Sequence, residues 1–216
     1  MLEECGLDYE VVAVDITAGD QFKSEFLAIS PNNRMPALVD DQGPEGETIS
    51  ISESGAILIY LADKTGKLMP AGGYARYAVM QWLMFQMGNL GPICGQAHHF
   101  RQAAPERVPY AINRFTNEVE RLYYVMDRQL KKIDYLSGLE YSIADIACWP
   151  WVRVHRYHGQ PWDNFPNVKR WFDDVAARPA VQKGMKLLIN KRAKTRDVLN
   201  EESRDILFGK TQMAKR

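Results

Sequence analysis

The sequence predicts a small α/β domain followed by an all-α domain. Short segments rich in β-branched residues alternate with helical segments as far as about residue 65, and only helical patterns follow. One proline and three glycines interrupt the chain between these two parts. We therefore predict an α/β domain at residues 1–65, a linker at 66–73, an all-helical domain at 74–190 and a basic tail at 191–216.

The α/β part contains three candidate strands. They lie at Tyr9–Ile16, Met35–Asp40 and Thr48–Ser52, where β-branched and apolar residues are dense. Between the first two, Ser24–Ile29 is predicted to form a short helix. The first residues, "MLEECGL", are typical of the last turns of a helix that stops at Gly6.

The all-helical part shows apolar residues at helical spacing, interrupted by proline and glycine. We predict helices at Tyr74–Leu90, from a break at Gly91-Pro92 to about Ala103, and at Pro109–Ile133, Ile143–Arg156, Asn167–Arg178 and Ala180–Leu188. Residues 191–216 carry eight basic and four acidic side chains, which is typical of a solvated, poorly ordered tail.

Composition argues against several classes of protein. Basic and acidic residues both number 27, and a net charge of zero disfavours nucleic-acid binding through phosphate neutralisation. The cysteines form no Cys-x-x-Cys pair, and His98-His99 has no further ligands nearby in sequence, so we expect no metal site. The longest apolar run, Ala56–Ala62, is too short to span a bilayer, and no signal peptide is recognisable. We expect a cytoplasmic protein without nucleic-acid or membrane partners.

The stretch "TISISESGAILIYLAD" passes from a strand into a helix without a loop, and Glu53 lies at the junction. A helix N-terminus presents unpaired N–H groups and attracts anions, and Ser54 adds a hydroxyl donor there. Glu53 adds a carboxylate that an ammonium can pair with. Together they suit the zwitterion of an amino acid. The alternative interpretation is that Ser52 or Glu53 only caps the helix, which is worth about 1 kcal/mol.

Two further motifs are informative, one for ligand binding and one for structure. Met35-Pro36 opens a strand, so that the backbone of Met35 is extended and available to an extended peptide ligand. The alternative is an ordinary proline at the start of a strand. Ser142 and Asp145, in "YSIADIA", have the spacing of a capping box, to which we assign a purely structural role.

These motifs, in this order, resemble the glutathione transferase family over residues 1–188. The stretches that carry the resemblance are "NRMPALVD", "SESGAILIYLAD" and "YSIADIACWPWV". With "GPICGQAHHF", they look most similar to the nu-class branch, which includes bacterial glutathione-dependent disulfide-bond oxidoreductases and is similar to a fungal nitrogen-regulation protein. The resemblance implies a thioredoxin-like N-terminal domain, an all-α C-terminal domain, glutathione as cosubstrate and a homodimer.

The resemblance also implies roles for individual residues. Glu53 and Ser54 would hold the γ-glutamyl end of glutathione. Met35, followed by a proline that is cis in this family, would pair its backbone with the cysteinyl unit. Gln21 and Arg34 would make polar contacts with glutathione, and Pro36 would belong to the same glutathione-binding set. Arg114 would make a contact across the dimer interface.

The thiol-activating turn of the family is the part of the pattern that is missing. In this branch it carries a Thr and an Asn between the first strand and the first helix, and the thiolate they stabilise is the reactive species. About 15–20 residues are absent by this comparison, enough for a strand, a turn and some helix. We therefore expect no catalytic residue in this chain, expect those residues upstream of Met1, and predict an incomplete N-terminal domain in a chain that starts there.

Three functions remain open from the sequence. The first is an enzyme that uses the thiolate of bound glutathione on a disulfide or a small electrophile, with the disulfide favoured by the resemblance. The second is a glutathione-binding regulatory or interaction protein without catalysis. The third is a dimeric scaffold with an empty site.

Overall fold

The computed structural model describes residues 1–189 and 200–212, and their contacts divide into two compact units. The first, here called the helical unit, contains residues 58–181 together with Met1. The second, here called the N-terminal unit, contains residues 2–57 and the described residues from Gln182 onward.

The N-terminal unit contains short helices and a two-stranded sheet. Up to residue 57 its helices and strands are α1 (Leu2–Cys5), α2 (Ser24–Ile29), β1 (Ala37–Asp40), β2 (Ile49–Ser52) and the first turn of α3 (Ser54–Thr65). The predictions of α2, β1 and β2 are confirmed to within two residues. The short N-terminal helix is confirmed too, because it stops at Gly6, whose φ is +69°.

β1 and β2 form an antiparallel pair. Ala37 faces Ser52, and Asp40 faces Ile49 at the other end of the register. A 3-10 turn, Pro44–Gly46, connects the strands. A Cβ on Gly43 would lie 2.5 Å from the Glu47 carbonyl oxygen, so the turn can close only around a glycine.

The predicted strand at Tyr9–Ile16 is wrong. The segment has no regular secondary structure. The sheet found in the described residues contains only β1 and β2. Val11 and Val12 are 41% and 80% exposed. A strand is defined by the ladder it forms with a neighbour, so β-branched residues without a partner strand do not make one.

The helical unit begins with a nearly continuous helical path. α4 (Gly73–Phe85) leads through a π turn (Gln86–Leu90) into α5 (Gly91–His98), and a second π turn (His99–Ala103) follows. The predicted break at Gly91-Pro92 is therefore wrong. The proline falls in the first turn of α5, where its missing N–H is tolerated, and the π turn widens the helix just before it.

The remaining helices agree with their predicted positions, and their ends differ by a few residues. They are α6 (Pro109–Leu130), α7 (Ile143–Val152), α8 (Pro166–Ala176) and α9 (Pro179–Lys186). The largest difference is at the end of α7, after which residues 155–158 form a separate 3-10 turn. The core of the unit lies between these helices, where the largest fully buried side chains include Trp171, Tyr123 and Phe165.

Asp145 ties three elements of the helical unit together. Its carboxylate accepts hydrogen bonds from the backbone and hydroxyl of Ser142, both 3.0 Å, from the Leu136 N–H, 3.0 Å, and from Trp171 Nε1, 2.8 Å. The predicted capping box of α7 is confirmed. Burial raises the pKa of Asp145 above its usual value, although these hydrogen bonds oppose the shift.

The segment between α3 and α4 is packed into the helical unit. Met69 is buried in an apolar cluster with side chains of α3, α4 and α7, among them Leu58, Leu83 and Ile143. The carbonyl of Leu68 accepts a hydrogen bond from the Ile143 N–H, 3.0 Å. Gly66 follows the last residue of α3 with a φ of +65°, a left-handed conformation that glycine adopts easily.

Part of the predicted tail forms a helix. α10 (Glu201–Phe208) is capped by the Asn200 side chain, which accepts from the Ser203 N–H at 2.8 Å, and a 3-10 turn (Lys210–Gln212) follows. The prediction of a poorly ordered tail is wrong for these residues, and residues 191–199 and 213–216 lie outside the described part. No helix in the described ranges is long and apolar enough to cross a membrane.

Candidate functional site

The junction of β2 and α3 consists of a single residue, Glu53. Glu53 lies between Ser52, the last residue of β2, and Ser54, the first of α3, and its φ is +68°. A left-handed conformation is uncommon for glutamate and is found mostly at constrained sites. The Glu53 carbonyl accepts from the Ile57 N–H, 3.0 Å, so the same residue starts the helix.

The side chains at this junction differ in exposure. Glu53 is exposed, and its Oε1 accepts a hydrogen bond of 3.2 Å from Asn32 Nδ2. Ser54 is half-buried at the N-terminus of a helix of 12 residues, where the first N–H groups lack acceptors within the helix. A carboxylate therefore lies next to a site that favours anions, an arrangement that suits a ligand with an ammonium and a carboxylate on one carbon.

The peptide bond between Met35 and Pro36 is cis, as the resemblance implied. Both residues precede β1, which begins at Ala37, and both are exposed, Met35 to 48%. The backbone of Met35 is thus at the surface of the N-terminal unit, where a peptide ligand can reach it.

A short loop leads from α2 to this bond. The hydroxyl of buried Ser30 donates to the Arg34 carbonyl, 2.8 Å, and accepts from the Arg34 N–H, 3.3 Å. Asn33 has a φ of +47°, its N–H donates to the Ser30 carbonyl, and its side chain donates to the Gln212 carbonyl at 3.3 Å. The loop backbone is fixed in this way, and the Arg34 side chain is exposed.

Gln21 and Arg114 lie in different surroundings. Gln21 is buried, and its Nε2 donates to the Ile16 carbonyl at 3.2 Å, whereas its Oε1 meets no partner within the described chain. Arg114 lies on α6 in the helical unit, exposed, 3.5 Å from Glu118. Arg121, and after it Arg114, hold the pKa of Glu118 below its usual value.

Asn32 is the residue that the sequence reasoning missed. It is an exposed loop residue 21 positions before Glu53, and its hydrogen bond to the carboxylate joins the loop to the β2–α3 junction. An asparagine before a proline-containing segment indicates only a turn. No local pattern connects it to a carboxylate so distant in sequence.

The protein's own thiols are poorly suited to chemistry. Cys5, Cys94 and Cys148 are all buried. Burial raises the pKa of Cys94 to about 12 and that of Cys148 well above its usual value, so neither forms a thiolate near neutral pH. Within residues 1–189 and 200–212, no three His, Cys, Asp or Glu side chains are grouped to hold a metal ion.

Two family models match the chain. The model of the glutathione S-transferase N-terminal domain matches residues 1–63, and that of the C-terminal domain matches residues 111–179. The disulfide-bond oxidoreductase YfcG from Escherichia coli (strain K12) is 49% identical over 180 residues, which cover 83% of this chain and 84% of YfcG.

Solved structures agree with these matches. A glutathione transferase family member from Pseudomonas fluorescens pf-5, with two glutathione bound, has a TM-score of 0.82 and 44% identity, over 86% of this chain and 85% of that chain. A glutathione transferase from Pseudomonas putida, with one glutathione disulfide bound per subunit, has the same TM-score and identity over 86% and 84%. The fold, the two domain matches and the identity over most of both chains show that this protein belongs to the glutathione S-transferase family.

Proposed function

We propose that the protein binds glutathione and uses its thiolate to reduce disulfides. The observation that carries the proposal is the exposed Glu53 carboxylate beside the N-terminus of α3, with Ser54 at the first helical position. This arrangement matches the γ-glutamyl end of glutathione, which carries an ammonium and a carboxylate on one carbon. The kinship with YfcG, a disulfide-bond oxidoreductase, and with a transferase that holds glutathione disulfide supports this choice.

The other residues have complementary roles in the proposal. The backbone of Met35, before cis Pro36, pairs with the cysteinyl unit of glutathione, and Arg34 adds a cation at the exposed rim of the site. Gln21 contributes a polar contact. Its Nε2 is bonded to the Ile16 carbonyl and its Oε1 is buried, so this contact requires the side chain to turn toward the ligand.

The reaction consists of two successive thiol–disulfide exchanges. The thiolate of one glutathione attacks a sulfur of the substrate disulfide, a mixed disulfide forms, and the other substrate sulfur leaves as a thiolate that takes up a proton. A second glutathione thiolate attacks the mixed disulfide and releases the second substrate thiol. Two glutathione molecules become glutathione disulfide, and the two electrons reduce the substrate. The buried Cys94 and Cys148 take no part, because burial keeps them protonated.

We also propose the setting in which this chemistry occurs. The protein acts in the cytoplasm as a homodimer, and Arg114, exposed on α6, contributes a contact across the dimer interface. The glutathione-binding domain extends over residues 1–65, and the helical domain over 74–190, after the linker at 66–73. Cross-linking and sedimentation of the Arg114→Ala protein test the dimer contact.

Replacement of Glu53 tests the binding site directly. Glu53→Ala is expected to weaken glutathione binding by roughly 1–3 kcal/mol, because the ammonium loses its charged hydrogen-bond partner. Glu53→Gln keeps the size of the side chain and removes the charge, so we expect a loss of similar size. Isothermal titration calorimetry with reduced glutathione measures both.

The control for this experiment is Glu106→Gln, which removes an exposed carboxylate from the loop before α6. It is expected to leave glutathione affinity unchanged. If the Glu53 variants bind glutathione as tightly as the unsubstituted protein, the carboxylate serves only the local structure and the proposed site is wrong.

Turnover separates the enzyme from a protein that only binds glutathione. The reduction of 2-hydroxyethyl disulfide by glutathione, coupled to glutathione reductase, is expected to proceed with this protein. Glutathione binding without turnover would identify a regulatory or interaction protein instead. Failure to bind glutathione would leave a scaffold with an empty site.

A further inference from the structure

Local packing does not require the hydrogen bond between Asn32 and Glu53. Both side chains are exposed, and Asn32 Nδ2 lies 3.2 Å from Glu53 Oε1 across 21 residues of sequence. An exposed glutamate ordinarily samples several rotamers. Here one carboxylate oxygen is held by a donor from another part of the unit, and the second oxygen, Oε2, remains to accept from a ligand.

The loop backbone that carries the donor, Asn32, is held by hydrogen bonds. Buried Ser30 closes the loop by bonding to both the N–H and the carbonyl of Arg34, 3.3 and 2.8 Å. Asn33, next to Asn32, is held by its N–H on the Ser30 carbonyl and by its side chain on the Gln212 carbonyl. These bonds place Asn32 independently of Glu53.

The acceptor is fixed at its backbone too. Glu53 has a φ of +68°, and its carbonyl accepts the first hydrogen bond of α3 from Ile57. The side-chain torsions of Glu53 are therefore its main remaining freedom. A donor that restricts them lowers the rotamer entropy that a ligand must remove when it binds.

The chemistry of the donor matters as well. An asparagine amide is neutral, so it orients the carboxylate without neutralising its charge. A lysine or arginine at the same position would compete with a ligand ammonium for that charge. An amide is thus suited to prepare a carboxylate for a cationic partner.

We propose that Asn32 is a positioning residue that orients the Glu53 carboxylate toward the α-ammonium of glutathione, an inference that rests on the proposed function. The amide acts through Glu53 and does not touch the ligand. Its contribution to affinity therefore exists only while both the carboxylate and the ligand ammonium are present.

The first test is the affinity of Asn32→Ala for reduced glutathione, measured by calorimetry. We expect the dissociation constant to rise about threefold to tenfold, as for the loss of one hydrogen bond. The matched control is Asn164→Ala, which removes an exposed asparagine amide from the helical unit and is expected to change nothing. An unchanged dissociation constant for Asn32→Ala would overturn the proposal.

The second test shows whether Asn32 acts through Glu53. In a double-mutant cycle, Asn32→Ala is expected to have no further effect in the Glu53→Ala protein, because the group it positions is gone. In the protein that retains Glu53, Asn32→Ala is likewise expected to leave unchanged the affinity for N-glutaryl-cysteinylglycine, a glutathione analogue without the α-ammonium. Equal losses in both protein backgrounds, or equal losses for both ligands, would show a structural role and overturn the proposal.

The same data distinguish this proposal from the proposed function. If Glu53→Ala weakens binding and Asn32→Ala does not, only the positioning role fails. If Glu53→Ala does not weaken binding, or the unsubstituted protein does not bind glutathione, the proposed site fails and the role of Asn32 fails with it.

Discussion

His158 is a buried histidine whose ring nitrogens meet no hydrogen-bond partner within the described residues. Burial, and after it the nearby His98, His155 and Arg101, lower its pKa to about 4. The unfolded chain has the ordinary value near 6.5 and binds a proton first as the pH falls. The contribution of His158 to stability is therefore complete above about pH 6.5 and is lost progressively down to about pH 4.

We expect His158→Phe to flatten this part of the pH profile. The unsubstituted protein should lose up to about 3 kcal/mol of unfolding free energy between pH 6.5 and 4 through this group, and the variant should not. Urea unfolding at several pH values measures the slope, which is independent of any constant cost of repacking. His99→Gln, which removes another histidine, serves as the control. A variant with the slope of the unsubstituted protein would contradict the assignment.

Single residues also show what the sequence could predict at this scale. Glu53, Ser54 and Met35 were found because each belongs to a short motif, and motifs are local. Asn32 was not, because its partner lies 21 residues away and the contact depends on the fold. The roles of all these residues in binding stay a prediction until glutathione affinity is measured.

Among the elements, α7 depends strongly on the side chain of Asp145. Asp145→Ala would remove the acceptor for the buried N–H groups of Ser142 and Leu136 and for the indole N–H of Trp171. Buried donors without an acceptor are costly, so we expect a loss of about 3–5 kcal/mol of unfolding free energy, measured by urea denaturation.

Asp163→Ala provides the matched comparison for that change, because Asp163 is exposed. We expect a change within about 0.5 kcal/mol, as for most surface substitutions. A loss below about 1 kcal/mol for Asp145→Ala would mean that water or a rearranged loop satisfies the donors.

The helices were predictable, whereas the lack of a strand at Tyr9–Ile16 was not, for one physical reason. The spacing of apolar residues and the cap at Ser142 are properties of a helix by itself, so α6 and α7 appear near their predicted starts. A strand needs a neighbour, and residues that favour β structure do not reveal whether one is present. The π turn at Gln86–Leu90 likewise left no local signal beyond the glycine and proline that follow it.

At the scale of the whole molecule, α10 and the turn after it complete the N-terminal unit. Ser203 Oγ donates to the Thr17 carbonyl at 3.5 Å, and the Gln212 carbonyl accepts from Asn33 Nδ2. Lys183, before the undescribed residues, lies 2.7 Å from Glu3. The basic tail of the sequence analysis therefore includes a structural part that its composition concealed.

Deletion of residues 200–216 tests this anchoring. Backbone amides near Thr17 and Asn33 are expected to exchange up to about tenfold faster, because each lost hydrogen bond contributes about 0.5–1.5 kcal/mol. Hydrogen-exchange mass spectrometry reports this region by region, and peptides from residues 58–181 serve as the internal control. Equal protection near Thr17 and Asn33 in both proteins would show that α10 does not support these loops.

The contacts of α10 and of the turn after it can form only late in biosynthesis. The bond between Thr17 and Ser203 spans 186 positions, and that between Asn33 and Gln212 spans 179. A ribosome that adds about 5–20 residues each second needs roughly 10–40 s to cover that distance. The helical unit, built from residues 58–181, can fold during this interval. The loops at Thr17 and Asn33 are thus translated early but gain these contacts only near the end of synthesis, so a nascent chain holds both loops without that support for most of its synthesis.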